Sequence, residues 1–271
     1  MSTEEVGSVD VGGRTLAYRR AGAGPPLLFL HGGWSDGREW WPQLDGLSDE
    51  FDVIAWDAPG CGGSSDPPDD LGMDGYADAV ADLVAALELD RPHLAGLSVG
   101  GGIAIAVAQR HPGLARSLVL GSAYAGWRGS LPADEVAARV ERALEEADRP
   151  PAEWVHGYIP GFFTSSVDPA TTERVVEIML DVRRAGIRPM LQAFAAADLR
   201  AGLDAIAVPT LLLYGDADVR APRPVAEALH AAIPGSELVV LPGVGHVTNL
   251  EAPETFNETV RRFLRSVPLN P

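Results

Sequence analysis

The chain has 271 residues, of which 46% are hydrophobic, and a formal net charge of −17. This composition can bury a substantial core, and the strong negative charge argues against binding to nucleic acid or to an anionic membrane. All 21 basic residues are arginine, which excludes Schiff-base lysines, covalently attached pyridoxal phosphate and the P-loop lysine. The single cysteine, Cys61, excludes an internal disulfide and fits a reducing compartment.

Targeting and metal-binding patterns are missing from the sequence. The first residues are acidic and polar, and no basic region leads into an apolar one as in a secretory signal. No apolar run reaches the length of a membrane span, and the histidines and carboxylates form no H-E-x-x-H or similar ligand pattern. We therefore expect a cytoplasmic protein that uses no metal or other cofactor. Its oligomeric state stays open.

Strand-like and helix-like segments alternate along most of the chain. Residues 6–11 and 15–19 alternate apolar and polar side chains around a Gly-Gly turn, which predicts a hairpin. Short apolar runs typical of buried parallel strands follow at 27–30, 53–56, 93–96, 117–120, 210–214 and 238–241. Helical patterns lie between strands at about 73–89, 99–110, 222–232 and 253–266. This order predicts a mostly parallel, eight-stranded α/β sheet with its ligand crevice beyond the carboxyl ends of the strands.

One long segment, residues 122–208, contains only helical patterns. A charged amphipathic helix is predicted for 132–147 and a second helix from Asp168-Pro169, with shorter ones at 152–158 and 189–197. The pattern predicts a helical cap over the crevice, inserted after the sixth strand. The core would then consist of residues 1–121 and 209–271.

The pentapeptide G-L-S-V-G at residues 96–100 joins a predicted strand to a predicted helix. A serine on such a sharp turn is exposed and backed by helical N–H groups, while the flanking glycines leave room for the crossing elements. Ser98 is therefore the predicted nucleophile.

A serine hydroxyl needs a base, and the base needs an orienting carboxylate. His246 is the predicted base because it lies on a Gly-rich loop after the last strand, where acid–base groups are presented. Two aspartates follow the preceding strand. Asp218, further out on that loop, is the predicted acid, and Asp216 is interpreted as a loop or capping acceptor.

With these residues in place, the chain resembles the α/β-hydrolase superfamily over almost its whole length. G-L-S-V-G matches the nucleophile elbow, and the order serine, aspartate, histidine matches the superfamily's order. H-G-G at 31–33 resembles the family's oxyanion loop, and D-A-P-G-C-G-G-S at 57–64 its D-x-x-G-x-G-x-S loop. G-D-A-D-V-R-A-P at 215–222 resembles G-x-x-D-x-x-x-P, which carries the acid on its second aspartate.

The resemblance implies further site residues and a substrate class. The oxyanion-hole donors would be the backbone N–H groups of Gly33 and Val99, with Trp34 as a further candidate. The turn residues Ser64 and Ser65 would be structural. The implied reaction is hydrolysis of a small carboxylic ester or lactone, as in enol-lactonase-like members and small carboxylesterases.

Substrate specificity and physiological role are the least determined by the sequence. Candidates for an aromatic substrate wall are Trp34, Tyr124, Trp127 and Phe162, together with Trp154, Tyr158 and Phe163, although any of them could be ordinary packing. Arg128 or Arg188 could bind a substrate carboxylate or lie in solvent. A ligand-binding or signalling protein of this fold with slow or single-turnover hydrolysis, or a C–C bond hydrolase, would keep the same triad.

Overall fold

In the computed structural model, which describes residues 4–268, one eight-stranded sheet organises the chain. Its spatial order is β1-β2-β4-β3-β5-β6-β7-β8. The strands are β1 (Glu5–Val11), β2 (Arg14–Ala21), β3 (Pro26–Leu30), β4 (Asp52–Trp56), β5 (His93–Leu97), β6 (Ser117–Gly121), β7 (Thr210–Gly215) and β8 (Glu237–Leu241). β1 pairs antiparallel with β2, and β2 with β4, while all other pairs are parallel. The predicted hairpin and the mostly parallel sheet are confirmed.

The central strands are buried because helices cover the sheet. β4, β5, β6 and β7 are buried along their whole length, as expected for continuous apolar runs. The covering helices are α1 (Trp41–Leu47), α2 (Gly72–Ala86), α3 (Val99–Arg110), α9 (Arg223–Ala232), α10 (Thr248–Glu251) and α11 (Pro253–Ser266). The sequence reading did not include α1, a short helix that contains a glycine and has a proline in its first turn.

Residues 122–208, here called the helical segment, contain helices and no strand between β6 and β7. Its helices are α4 (Trp127–Ser130), α5 (Ala133–Ala147), α6 (Ile159–Phe162), α7 (Pro169–Leu180) and α8 (Arg184–Ala196). The prediction that α8 starts at Pro189, a residue favoured in a first turn, was wrong, because the helix begins at Arg184 and carries Pro189 inside it.

Close backbone packing anchors the helical segment to the core. Gly186, in α8, lies so close to Gly60, in the loop after β4, that a Cβ on either glycine would overlap the other's backbone. α8 also packs against α2 and α5. Within residues 4–268, no helix has both the length and the apolar character needed to cross a membrane.

Candidate active site

The turn between β5 and α3 holds Ser98 in a strained backbone conformation. Its φ is 52° and its ψ −109°, a region that non-glycine residues rarely adopt. Its N–H donates to the Gly121 carbonyl oxygen at 2.8 Å. A Cβ on Gly96 would overlap the Gly100 carbonyl, and one on Gly100 would overlap the Leu30 carbonyl. Because these glycines permit the close crossing of strand and helix, the sequence folds into a turn that presents one serine.

His246 and Asp218 form a buried pair at the neighbouring strand ends. His246 follows β8, Asp218 follows β7, and their side chains are only 4% and 0% exposed. His246 Nδ1 lies 2.9 Å from Asp218 Oδ2 and 3.0 Å from Oδ1. With Nδ1–H donating to the carboxylate, the His246 ring keeps Nε2 available as a proton acceptor.

Hydrogen bonds keep the Asp218 carboxyl ionised. Its Oδ1 also accepts the backbone N–H groups of Arg220 at 2.8 Å and Ala221 at 2.9 Å. Burial would by itself raise the pKa of Asp218. The electrostatic interaction and hydrogen bond with His246, together with the two amides, outweigh burial and hold the pKa of Asp218 below its ordinary value.

The second aspartate of the loop has a different partner. Asp216 is exposed, and its Oδ1 accepts the N–H of Gly243 at 2.6 Å. This hydrogen bond ties the loop after β7 to the loop after β8. The structure thus places Asp218 against His246, whereas Asp216 accepts a hydrogen bond from the loop after β8.

A narrow cavity of about 40 Å³ lies between the strand ends and the helical segment. Ser98 and His246 both line it, so the structure brings the predicted nucleophile and base to one space. Four of the seven aromatic candidates for the substrate wall also line it, namely Trp34, Tyr124, Trp127 and Phe162. The other lining residues are Gly32, Gly33, Ser35, Glu39, Leu97, Val99, Val175, Met179, Leu191, Arg220, Val247 and Leu250.

The remaining aromatic candidates pack behind the cavity wall. The Trp154 and Tyr158 rings lie 4.5 and 5.4 Å from the Trp34 ring, centroid to centroid. Phe163 packs edge-on against Phe162. These three residues support the wall and are not among its lining residues.

Gly33 and Val99 both line the cavity and are the predicted oxyanion-hole donors. A Cβ on Gly33 would lie 3.3 Å from Val99 Cγ2, so the two residues are neighbours. Among the described residues, neither amide has a hydrogen-bond acceptor. Val99 is also the first residue of α3, where the helix dipole favours negative charge. The pair can therefore stabilise an oxyanion that forms next to Ser98.

The loop that carries Gly33 is fixed by its first residue. His31 is buried, and its Nε2 accepts the Ala58 N–H at 3.1 Å. Burial lowers the pKa of His31, which favours the neutral ring that this hydrogen bond requires. This contact ties the loop that carries Gly33 to the loop after β4.

Two charged residues of the cavity were not identified from the sequence. Glu39 is buried, its Oε1 accepts the Gly32 N–H at 3.3 Å, and burial raises its pKa to about 7. Arg220 lies two residues after Asp218, and this position on the loop of the predicted acid is a sequence signal that could have indicated a cavity residue. Arg128 is exposed and Arg188 pairs with Asp148, and neither lines the cavity.

Ser64, Ser65 and Cys61 lie in the loop after β4. Ser64 Oγ donates to the Asp57 carbonyl oxygen at 2.6 Å, and Ser65 Oγ accepts the Thr15 N–H at 2.9 Å, as structural turn residues would. Cys61 is buried, which raises the pKa of its thiol. In the part of the chain that the structure describes, no group of three or more His, Cys, Asp or Glu side chains is placed to hold a metal ion.

Comparison with known proteins identifies the family. Residues 27–259 match the model of the alpha/beta hydrolase family. The AB hydrolase superfamily protein YisY of Bacillus subtilis is 33% identical over 93% of this chain and 96% of its own length. An esterase from Thermogutta terrifontis superposes with a TM-score of 0.86 at 29% identity, covering 98% of this chain and 99% of that one. The enol-lactonase from Burkholderia xenovorans LB400 superposes with a TM-score of 0.88 at 26% identity, covering 96% of this chain and 100% of that one. The chain therefore belongs to the alpha/beta hydrolase family.

Proposed function

We propose that the protein hydrolyses a small carboxylic ester or lactone through a triad of Ser98, His246 and Asp218. The observation that carries the proposal is the buried His246–Asp218 pair, whose histidine shares one narrow cavity with a strained, partly exposed serine. Membership of a hydrolase family and the likeness to an esterase and an enol-lactonase support it.

The first half of the proposed reaction forms an acyl-enzyme. Ser98 Oγ attacks the ester carbonyl carbon while His246 Nε2 takes the hydroxyl proton, and the Asp218 carboxylate stabilises the resulting imidazolium. The carbonyl oxygen becomes an oxyanion and accepts the N–H groups of Gly33 and Val99, each worth about 3–4 kcal/mol in the transition state. Collapse of the tetrahedral intermediate breaks the ester C–O bond, and His246 returns the proton to the leaving alkoxide.

Water then completes the cycle. His246 Nε2 removes a proton from a water molecule, which attacks the acyl carbon, and the second tetrahedral intermediate expels Ser98. The acid leaves and Ser98 regains its proton. For a lactone, the alcohol and the acid belong to the same product molecule.

The helical segment is proposed to act as the cap of this site, with the core formed by residues 1–121 and 209–271. It supplies one wall of the cavity through residues such as Phe162, Val175 and Met179. A wall of apolar side chains facing a narrow space favours small acyl groups over long ones.

Replacement of the nucleophile tests the proposal. Ser98→Ala should abolish labelling by a fluorophosphonate probe and steady hydrolysis of p-nitrophenyl acetate, because no other group would form the acyl bond. Ser165→Ala, which changes an exposed serine of the helical segment, is the matched control. It should keep both the fluorophosphonate labelling and the hydrolysis of p-nitrophenyl acetate.

Two outcomes would contradict the proposal. Labelling retained in Ser98→Ala would show that another residue is the nucleophile. A single turnover that leaves a persistent adduct on Ser98 would favour ligand sensing over hydrolysis.

A further inference from the structure

Arg220 lines the cavity, and its guanidinium has no matching carboxylate. Most other arginines form surface ion pairs, such as Arg188 with Asp148 and Arg223 with Glu227. In residues 4–268, no Asp or Glu oxygen lies within ion-pair distance of the Arg220 guanidinium, and that group donates no hydrogen bond to another described residue. In a chain of net charge −17, an unpaired cation inside a cavity is a marked exception.

The backbone and the aromatic neighbours hold Arg220 at this place. Its N–H donates to Asp218, and its carbonyl oxygen accepts the Tyr124 hydroxyl and, at 3.0 Å, Arg139 Nη2. The guanidinium carbon lies 5.4 Å from the Tyr158 ring centroid and 5.2 Å from that of Phe162. Cation–π contacts with these rings orient the guanidinium and leave its N–H groups without acceptors.

The local electrostatics favour an added anion. Burial lowers the pKa of Arg220, and the charge of Arg139 acts in the same direction. Asp218 and the Tyr124 and Tyr158 hydroxyls offset part of this effect, but the Asp218 carboxylate is already occupied by His246. A partly buried cation with incomplete compensation binds an anion more strongly than a fully exposed one.

We propose that the substrate carries a carboxylate, which Arg220 binds while the ester or lactone carbonyl lies at Ser98. This inference rests on the proposed hydrolase function and names its substrate class. A guanidinium presents parallel N–H groups that match a carboxylate, so Arg220 would fix the orientation of the acyl chain as well as its affinity.

Matched ester pairs test the proposal without any mutation. The wild-type enzyme is assayed with the monomethyl esters of succinic, glutaric and adipic acid and with methyl esters in which a carboxamide replaces the free carboxylate. We expect kcat/KM to be at least about 10-fold higher for the anionic member of one or more pairs, since a charged hydrogen bond contributes more than a neutral one.

Variants then assign the preference to Arg220. Arg220→Gln should lower kcat/KM for the preferred anionic ester about 10- to 100-fold, mainly through KM, and leave the carboxamide ester within about threefold. Arg220→Lys should keep part of the preference, because it keeps the charge but loses the planar fork. Arg188→Gln makes the same change in net charge outside the cavity and is the control. Thermal melting shows whether each variant is folded.

Binding separates this proposal from the proposed hydrolysis. Ser98→Ala protein should bind the anionic esters, measured by calorimetry, and lose that binding when Arg220→Gln is added, even if the wild type turns over no ester. Ser98-dependent hydrolysis with no carboxylate preference in any pair would overturn the role of Arg220 and leave the hydrolase standing. Absence of both the preference and the binding would also overturn it.

Discussion

The cavity has two walls that are built in different ways. One wall, here called the floor, consists of loops at the carboxyl ends of the strands and contains Ser98, Gly33 and His246, with Asp218 buried behind His246. It is fixed by hydrogen bonds and by glycines at close backbone crossings. The opposite wall, the roof, belongs to the helical segment, and its lining side chains pack into the hydrophobic core. Hydrogen-bonded geometry specifies which atoms can react, whereas packing specifies which shapes fit.

The two walls meet at the loop that carries His246. The Phe162 carbonyl oxygen accepts the N–H groups of His246 at 2.9 Å and Val247 at 3.2 Å. Glu251 accepts the Thr164 N–H at 2.8 Å. The base is therefore hydrogen-bonded to the roof through its backbone, while its ring is hydrogen-bonded to the floor.

Replacement of Asp218 should give the largest effect on activity. Asp218→Asn should lower kcat for p-nitrophenyl acetate by about 10⁴-fold, because the amide favours the wrong tautomer of His246 and cannot stabilise the imidazolium. Asp216→Asn should stay within about threefold of wild type, since an amide oxygen can still accept the Gly243 N–H. A reversal of these two results would show that the acid is Asp216.

Sequence patterns can indicate the residues of the floor because its geometry is local. The strained turn at Ser98 follows from glycines within two residues of it, and the loops at Asp218 and His246 directly follow strands that apolar runs identify. The positions of Glu39 and Arg220 depend on which way a side chain points after the whole chain has packed. One carboxylate among 38 acidic residues gives no local sign that it will be buried.

The roof was predicted at the level of helices and less well at the level of residues. The amphipathic patterns indicated α5 and α7, but α8 was shortened because a proline inside a helix looks like a helix start. The lining residues Val175, Met179 and Leu191 share their helical pattern with residues that face the ordinary core. Periodicity identifies a buried face without showing what lies opposite it.

Neutralising Glu39 should change the pH dependence of stability. The folded protein keeps the Glu39 proton up to a pKa of about 7, whereas the unfolded chain releases it near the ordinary value of 4.5. The wild-type free energy of unfolding should therefore fall as pH rises from 5 to 8, by up to about 3 kcal/mol from this residue. Glu39→Gln removes that loss, so urea denaturation should show the variant gaining on wild type at pH 8 relative to pH 5.

The control for Glu39→Gln changes the same charge at the surface. Glu254→Gln alters an exposed carboxylate of α11 and should change the free energy of unfolding by the same amount at pH 5 and at pH 8. If Glu39→Gln and wild type lose stability in parallel between pH 5 and 8, the buried carboxyl does not hold its proton. The floor would then contain a second ionised carboxylate beside the loop of Gly33.

Shortening a side chain of the roof enlarges the cavity and should give the smallest effect. It should change the preference between acyl chains and leave the chemical step as it is. Val175 lines the cavity, and its neighbour Val176 on α7 does not. Val175→Ala should raise the ratio of kcat/KM for p-nitrophenyl butyrate over acetate about 10-fold, because each added methylene in a fitting pocket is worth about 1–3 kcal/mol. Val176→Ala should leave the ratio unchanged, and both variants should keep fluorophosphonate labelling of Ser98. An equal fall in kcat for both esters in Val175→Ala would instead mean that the roof positions His246 through Phe162, so that the two walls act as one unit.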